Sequence, residues 1–187
     1  MTVAEWVADY LYEKGVRHAF GIVGGANLAL FEAISRKIEV ISVAQEQAAA
    51  IAANYYFKVS RRIAPVLVTA GGGAANAITG VIEAQMDGTP LLVLSGNELT
   101  RWFSVSKTRT VGFQGFNPCD IVHSFTKLCL KAEGPESVKI GLNALYNSAL
   151  EHRQGACWLD IAQDIATKEL VIETEKDPHK ILERMDL

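Results

Sequence analysis

Apolar residues fall into two kinds of grouping along this sequence. Short dense runs rich in valine, leucine and isoleucine lie at 16–22, 38–43, 65–69, 90–95, 127–131 and 156–161. Between them, apolar positions recur at spacings of three and four. Examples are Val3, Trp6, Val7, Tyr10 and Leu11; Leu28, Leu30, Phe31 and Ile34; Ile78, Val81, Ile82 and Met86; and Val138, Leu142 and Leu145. The first grouping predicts strands, the second amphipathic helices. The run at 90–95 is nearly continuous, as in a strand buried on both faces. An alanine-rich helix from 46 to about 58 and a short one opened by Asn117-Pro118 complete the series, and Asp177-Pro178 marks a further helix start. Strand and helix alternate throughout. This predicts an α/β fold, a three-layer doubly wound sheet of about six parallel strands with helices on both faces. The pattern sets one domain over 1–165 and a more charged C-terminal tail or linker over 166–187.

Sheets of this kind bind ligands at the carboxyl ends of their strands. Three segments follow predicted strands: Gly24-Gly25, Gln45-Glu46 and Gly71-Gly72-Gly73. Glu46 is a solitary carboxylate at a strand-to-helix junction, and the next charge downstream is Lys58. A helix N-terminus favours an anion, so Glu46 reads either as a helix cap or as a catalytic carboxylate that shares a proton with a ligand. The glycine run could cradle an anion or simply allow a tight turn. It lacks the Lys-Ser/Thr of a Walker loop, and the turn at 21–25 lacks the dinucleotide spacing. No Gly-x-Ser-x-Gly elbow occurs. A long polar and aromatic connection at 96–116 is of a length more often functional than idle.

Composition narrows the classes. A chain of 187 residues, 49% apolar and 21% charged, can bury a sizeable core. Its net charge of -3, with no basic block, argues against nucleic acid or an anionic membrane as partner. No apolar run approaches the roughly 20 residues of a membrane span. The first residues show no basic region leading into an apolar one, so a cytoplasmic protein is expected. The three cysteines, Cys119, Cys129 and Cys157, have no Cys-x-x-Cys spacing and are expected to be free thiols in a reducing compartment. The four histidines are scattered; only Cys119 and His123 fall one helical turn apart, so no metal site is expected.

Five segments in order are more specific than any one of them: 21–31 (GIVGGANLALF), 45–49 (QEQAA), 71–80 (GGGAANAITG), 86–96 (MDGTPLLVLSG) and 112–115 (GFQG). This series resembles the N-terminal pyrimidine-binding domain of thiamine-diphosphate enzymes, especially the acetolactate synthase and 2-oxoacid decarboxylase group, and covers roughly 2–165. The resemblance implies thiamine diphosphate as cofactor, a thiamine-diphosphate-binding fold, and a lyase or transferase acting on 2-oxoacids. It implies that Glu46 hydrogen-bonds N1′ of the aminopyrimidine and activates it. It places Gly24, Gly25 and Ala26 along the reaction side, Gly71, Gly72, Gly73 and Asn76 near the pyrimidine or a subunit contact, and Gln45, Phe113 and Gln114 toward cofactor or substrate. It also implies a partner, since the diphosphate is held through Mg²⁺ by a second domain with a Gly-Asp-Gly motif, which does not occur here. That half would be a separate subunit or the rest of a longer polypeptide, in a homo- or hetero-oligomer. The isolated chain is expected to bind cofactor weakly and not to turn over. FAD, carried by a middle domain in some members, is left open.

Several positions depart from the acetolactate synthase pattern. Val23 and Gly72 stand where proline is frequent, Gln45 where histidine is, and Gly115 where glutamate is. Gln45 matters most, because an ionisable group beside the cofactor is lost. A non-catalytic assembly or regulatory module that retains the fold is the alternative reading. A stand-alone nucleotide-binding domain is a third, disfavoured by the missing phosphate fingerprints.

Overall fold

The computed structural model describes residues 1–103 and 110–170. The elements are α1 (Val3–Glu13), β1 (His18–Gly21), α2 (Leu28–Ser35), β2 (Glu39–Ser42), α3 (Glu46–Ser60), β3 (Val66–Val68), α4 (Gly72–Asp87), β4 (Leu91–Asn97), α5 (Cys119–Val122), β5 (Leu128–Lys131), α6 (Pro135–Leu150), β6 (Ala156–Ala162) and α7 (Gln163–Ala166). The helix start expected at Asp177-Pro178 lies outside the described residues.

All strand pairs are parallel, in a six-stranded sheet of order β2-β1-β3-β4-β6-β5. The expected doubly wound α/β architecture is what forms. Alternate residues of each central strand feed opposite layers, as a period of two requires. Leu67, Leu92, Leu94, Leu159 and Ile161 pack with α1, α2, α6 and α7. Val66, Val68, Leu91, Val93 and Trp158 pack with α3, α4 and Val122 of α5. Burial on both faces explains why β4 and β6 are buried along their whole length.

Small residues set the spacing of the second layer. Ala49, Ala50 and Ala53 of α3 face Ala74, Ala77 and Val81 of α4. A Cβ at Gly80 would lie 2.5 Å from the Cβ of Ala50, so the two helices approach as closely as backbone allows. Both helices begin at the carboxyl edge of the sheet, and their close crossing brings their first turns together.

Strand order reverses at β1, which is flanked by β2 on one side and β3 on the other. The connections leaving β1 and β3 therefore diverge, and a crevice opens where they part. The stretch 168–170 pairs with the first residues: Thr2 and Glu169 form an antiparallel bridge, and the Leu170 N–H donates to the Met1 carbonyl at 3.0 Å.

One sequence expectation is corrected. Cys119 and Cys129 are not free thiols but are joined in a disulfide, with Cα atoms 5.4 Å apart. Ten residues separate them in sequence, but β5 runs back past α5 and brings the second cysteine beside the first. Only Cys157 remains free, and it is buried in β6.

Candidate active site

Glu46 is the first residue of α3, with extended Gln45 as its N-cap. Its residue is 8% exposed. Unpaired N–H groups of the first helical turn make this a favourable place for negative charge. Asn76, one turn into α4, donates its Nδ2 to Glu46 Oε2 at 3.1 Å. Among the described residues no hydrogen bond reaches Oε1. That oxygen would lie 3.0 Å from a Cβ built on Gly73, so the missing side chain there leaves room for the carboxyl itself.

Thr69 forms the next wall. A Cβ on Gly73 would fall 2.8 Å from Thr69 Cγ2, and one on Gly24 would fall 2.5 Å from Thr69 Oγ1. The turn after β1 and the turn after β3 thus meet at Thr69. Its hydroxyl oxygen is buried and has no hydrogen-bond partner among the described residues. A buried hydroxyl left unpaired carries a desolvation cost of about 1–3 kcal/mol. Glu46 Oε1, the Thr69 side chain, Gly24 and Gly73 therefore pack together at the point where the two turns meet.

The remaining residues singled out from the sequence divide. Gly25 and Gly72 have open space where a side chain would stand. The Ala26 backbone lies against Gly96 of β4, where no Cβ would fit. Asn27 holds that turn, accepting from the Gly24 N–H at 2.7 Å and donating to the Ile22 carbonyl at 3.0 Å. Gly71 adopts φ +67, a backbone form suited to glycine, and its Cβ position is taken by the Gln114 carbonyl 2.6 Å away. It lies beneath an overlying strap. Gln45 is exposed and makes no side-chain cap. Phe113 is 86% exposed and stands edge-on to Trp102, with ring centroids 6.4 Å apart. Gln114 is held through its backbone, its N–H donating to Glu98 Oε1 at 3.2 Å.

The strap carrying Gln114 closes on itself, since Val111 and Gly115 exchange backbone hydrogen bonds of 2.7 and 2.8 Å. A Cβ on Gly115 would meet the Asn97 and Glu98 side chains. Glycine at this departure from the family pattern thus lets the strap lie flat against the end of β4.

A second polar cluster lies behind it and was not anticipated. Asp160 of β6 accepts from Ser95 Oγ at 2.6 Å and from Asn97 Nδ2 at 2.6 Å. Trp158 Nε1 donates to Ser95 Oγ at 2.8 Å, and Asn97 Nδ2 also donates to the Phe116 carbonyl at 2.7 Å. Burial pushes the Asp160 carboxyl up to about 6, against the opposing pull of the Ser95 and Asn97 hydrogen bonds and Lys131. The signal that marked Glu46, one carboxylate in an apolar run, was equally present at Asp160. Thr69 had no comparable signal.

Among the described residues no group of three or more histidine, cysteine, aspartate or glutamate side chains is placed to hold a metal ion. No helix among them is long and apolar enough to cross a membrane.

Comparison with known proteins agrees with this geometry. Residues 1–121 match the family described as thiamine pyrophosphate enzyme, N-terminal TPP binding domain. The chain is 33% identical over 171 residues to an acetolactate synthase large subunit of Buchnera aphidicola, a match covering 89% of this chain and 28% of that protein. It is 34% identical over 167 residues to the acetolactate synthase isozyme 3 large subunit of Escherichia coli, covering 87% and 28%. With the mitochondrial acetolactate synthase of Schizosaccharomyces pombe it shares 33% over 186 residues, covering 97% and 26%. The chain thus spans little more than a quarter of the length of these curated relatives. By the matched domain and its six-stranded parallel sheet, this chain belongs to the thiamine-pyrophosphate enzyme family, as an N-terminal cofactor-binding domain of the acetolactate synthase-like kind.

Proposed function

We propose that this chain supplies the aminopyrimidine half of a thiamine-diphosphate active site in an enzyme acting on 2-oxoacids, with Glu46 as the catalytic carboxylate. The observation that carries the reading is the half-satisfied Glu46 carboxyl: Oε2 is fixed by Asn76, and Oε1 accepts no hydrogen bond among the described residues, with the unpartnered Thr69 hydroxyl near by. An aminopyrimidine fits this donor set. Its ring nitrogen suits a carboxyl oxygen, a flat face suits the open surfaces of Gly25 and Gly72, and a polar edge suits the Thr69 hydroxyl.

When bound, thiamine diphosphate supplies a nucleophilic carbon and an electron sink for carbon–carbon bond chemistry. The protein's own part is positional and acid–base. Glu46 Oε1 takes or gives a proton at the ring nitrogen it faces. Asn76 holds the carboxyl in one orientation, so that the proton moves along one direction. Gly24, Gly25 and Gly73 allow close approach, and the 111–116 strap roofs Gly71 and limits water. Gln45, Phe113 and Gln114 lie on the exposed side, where the substrate and the partner domain arrive. Glutamine at 45 offers hydrogen bonds there but no exchangeable proton of the histidine kind.

The diphosphate and its Mg²⁺ belong to a second domain or subunit. Exposed Val23, Leu28 and Phe113 give that partner an apolar rim to cover at the open cleft. Calorimetry of the isolated chain should show weak cofactor binding with no Mg²⁺ dependence. Joined to its diphosphate-binding half, the chain should support cofactor-dependent release of CO₂ from a 2-oxoacid, and Glu46→Ala should abolish it. Tight Mg²⁺-dependent binding by the chain alone, or full activity of the Glu46→Ala complex, would refute the proposal.

A further inference from the structure

We infer that Cys119 and Cys129 form a thiol–disulfide exchange site, whose co-reactant is a small disulfide of the glutathione class and whose state sets the order of the strap over Gly71. The two sulfurs join α5 to edge strand β5. Neither cysteine is fully buried, and both line two clefts, of about 400 and about 570 Å³. A small thiol or disulfide can therefore reach the pair from either side. Lys131 and Glu133 line the first cleft, and Lys127, Asp120 and His123 the second, so the surroundings carry both signs of charge. The thiolate is the form that attacks. Cys157 differs in access. It is wholly buried, chiefly by which its thiol is pushed up to about 11, and it stays out of the exchange.

The bond matters because α5 has little else to hold it. The helix is four residues long and only Val122 is buried. The Asn117 side chain bonds within its own turn, to Asp120 and to the Cys119 N–H. Upstream, the strap is tied to the end of β4 by Glu98 and Asn97. The strap is thus fastened by hydrogen bonds at Gln114 and Phe116 and, three residues further on, by sulfur at Cys119. Gln114 places its carbonyl over Gly71.

The exchange balances. One cysteine thiolate attacks a sulfur of the small disulfide, forms a mixed disulfide and releases one thiolate. The other cysteine then attacks the protein-bound sulfur, closes the Cys119–Cys129 bond and releases the second. Two protein thiols are oxidised and one small disulfide is reduced to two thiols. Only the bearing of this switch on cofactor binding rests on the function proposed above.

The test uses the chain as it is, without cofactor, so its failure is distinct from failure of that proposal. The chain is equilibrated in buffers of reduced and oxidised glutathione, alkylated and mapped by mass spectrometry. Cys119 and Cys129 should change state together, with Cys157 unmodified. On reduction, amide exchange across 111–119 should quicken by roughly tenfold or more, with β4 and β6 unchanged. Cys129→Ser should show the reduced pattern in every buffer. The inference is overturned if both cysteines stay alkylatable in excess oxidised glutathione. It is equally overturned if strap exchange is the same in the oxidised and reduced wild-type chain.

Discussion

Asp160 and Glu46 stand at the same carboxyl edge of the sheet and have opposite surroundings. Asp160 is enclosed, and each of its oxygens takes a short hydrogen bond, from Ser95 and from Asn97. Glu46 has Asn76 on one oxygen, with no hydrogen bond to the other among the described residues and the orphan Thr69 hydroxyl near by. The first arrangement satisfies a buried charge at the junction of β4 and β6, which is what a fold requires. The second leaves polar atoms incompletely paired at the point where strand order reverses. No packing need explains that deficit, whereas a ligand would fill it. The difference separates a carboxylate that holds the sheet together from one kept ready for something else.

Mutating each should show the contrast directly. In the completed enzyme, Glu46→Ala should lower turnover by roughly 10²–10⁴-fold. The same change should move the denaturant midpoint of the chain little, by less than about 1 kcal/mol, because one helix-end charge is lost. Asp160→Ala should do the reverse. Removing the acceptor strands Ser95 and Asn97 in the interior, at a cost of about 3 kcal/mol measured by urea unfolding. If Glu46→Ala proves the more destabilising of the two, the contrast collapses.

Finer changes sharpen it. Gly73→Ala places a methyl 2.8 Å from Thr69 Cγ2 and 3.0 Å from Glu46 Oε1. It should weaken cofactor binding in the complex and cost about 1–3 kcal/mol of stability by overpacking. Thr69→Val keeps the shape and removes the unpaired hydroxyl. The chain should become more stable by about 1 kcal/mol while binding cofactor less well, a trade that calorimetry and thermal unfolding read separately.

A further effect is on pH. Asp160 is held at about 6, against an ordinary value of 3.8. The folded chain keeps a proton there that the unfolded chain has already released. Its contribution to stability is therefore full below 3.8 and is lost as pH rises through about 6. Unfolding midpoints taken from about pH 4 to about pH 7 should show this decline in the wild type, and Asp160→Asn should flatten it.

Fold class was readable because each central strand is buried on both faces and each helix on one, so the two periodicities hardly overlap. Glu46 was conspicuous for a related reason: a charge stands out beside Ala48, Ala49 and Ala50. Asp160 carried the same mark within its strand, but attention to the apolar run hid it. Thr69 could not be found this way, because its importance comes from Gly24 and Gly73 approaching from distant parts of the chain. The disulfide escaped for the same reason, since spacing along the chain says nothing of a strand that returns beside its own helix.

The position of β1 between β2 and β3 has a consequence for how the cleft comes into being. As the polypeptide is made, Gly24 and Glu46 exist before Thr69, Asn76 or the strap has been synthesised. The carboxylate is thus produced long before its partners. The crevice can form only once β3 has docked on the far side of β1 and α4 has settled against α3. Such non-local pairing is slow to assemble. Until then, the alanine face of α3 is uncovered, and that is the interval in which the nascent chain most needs shelter from aggregation.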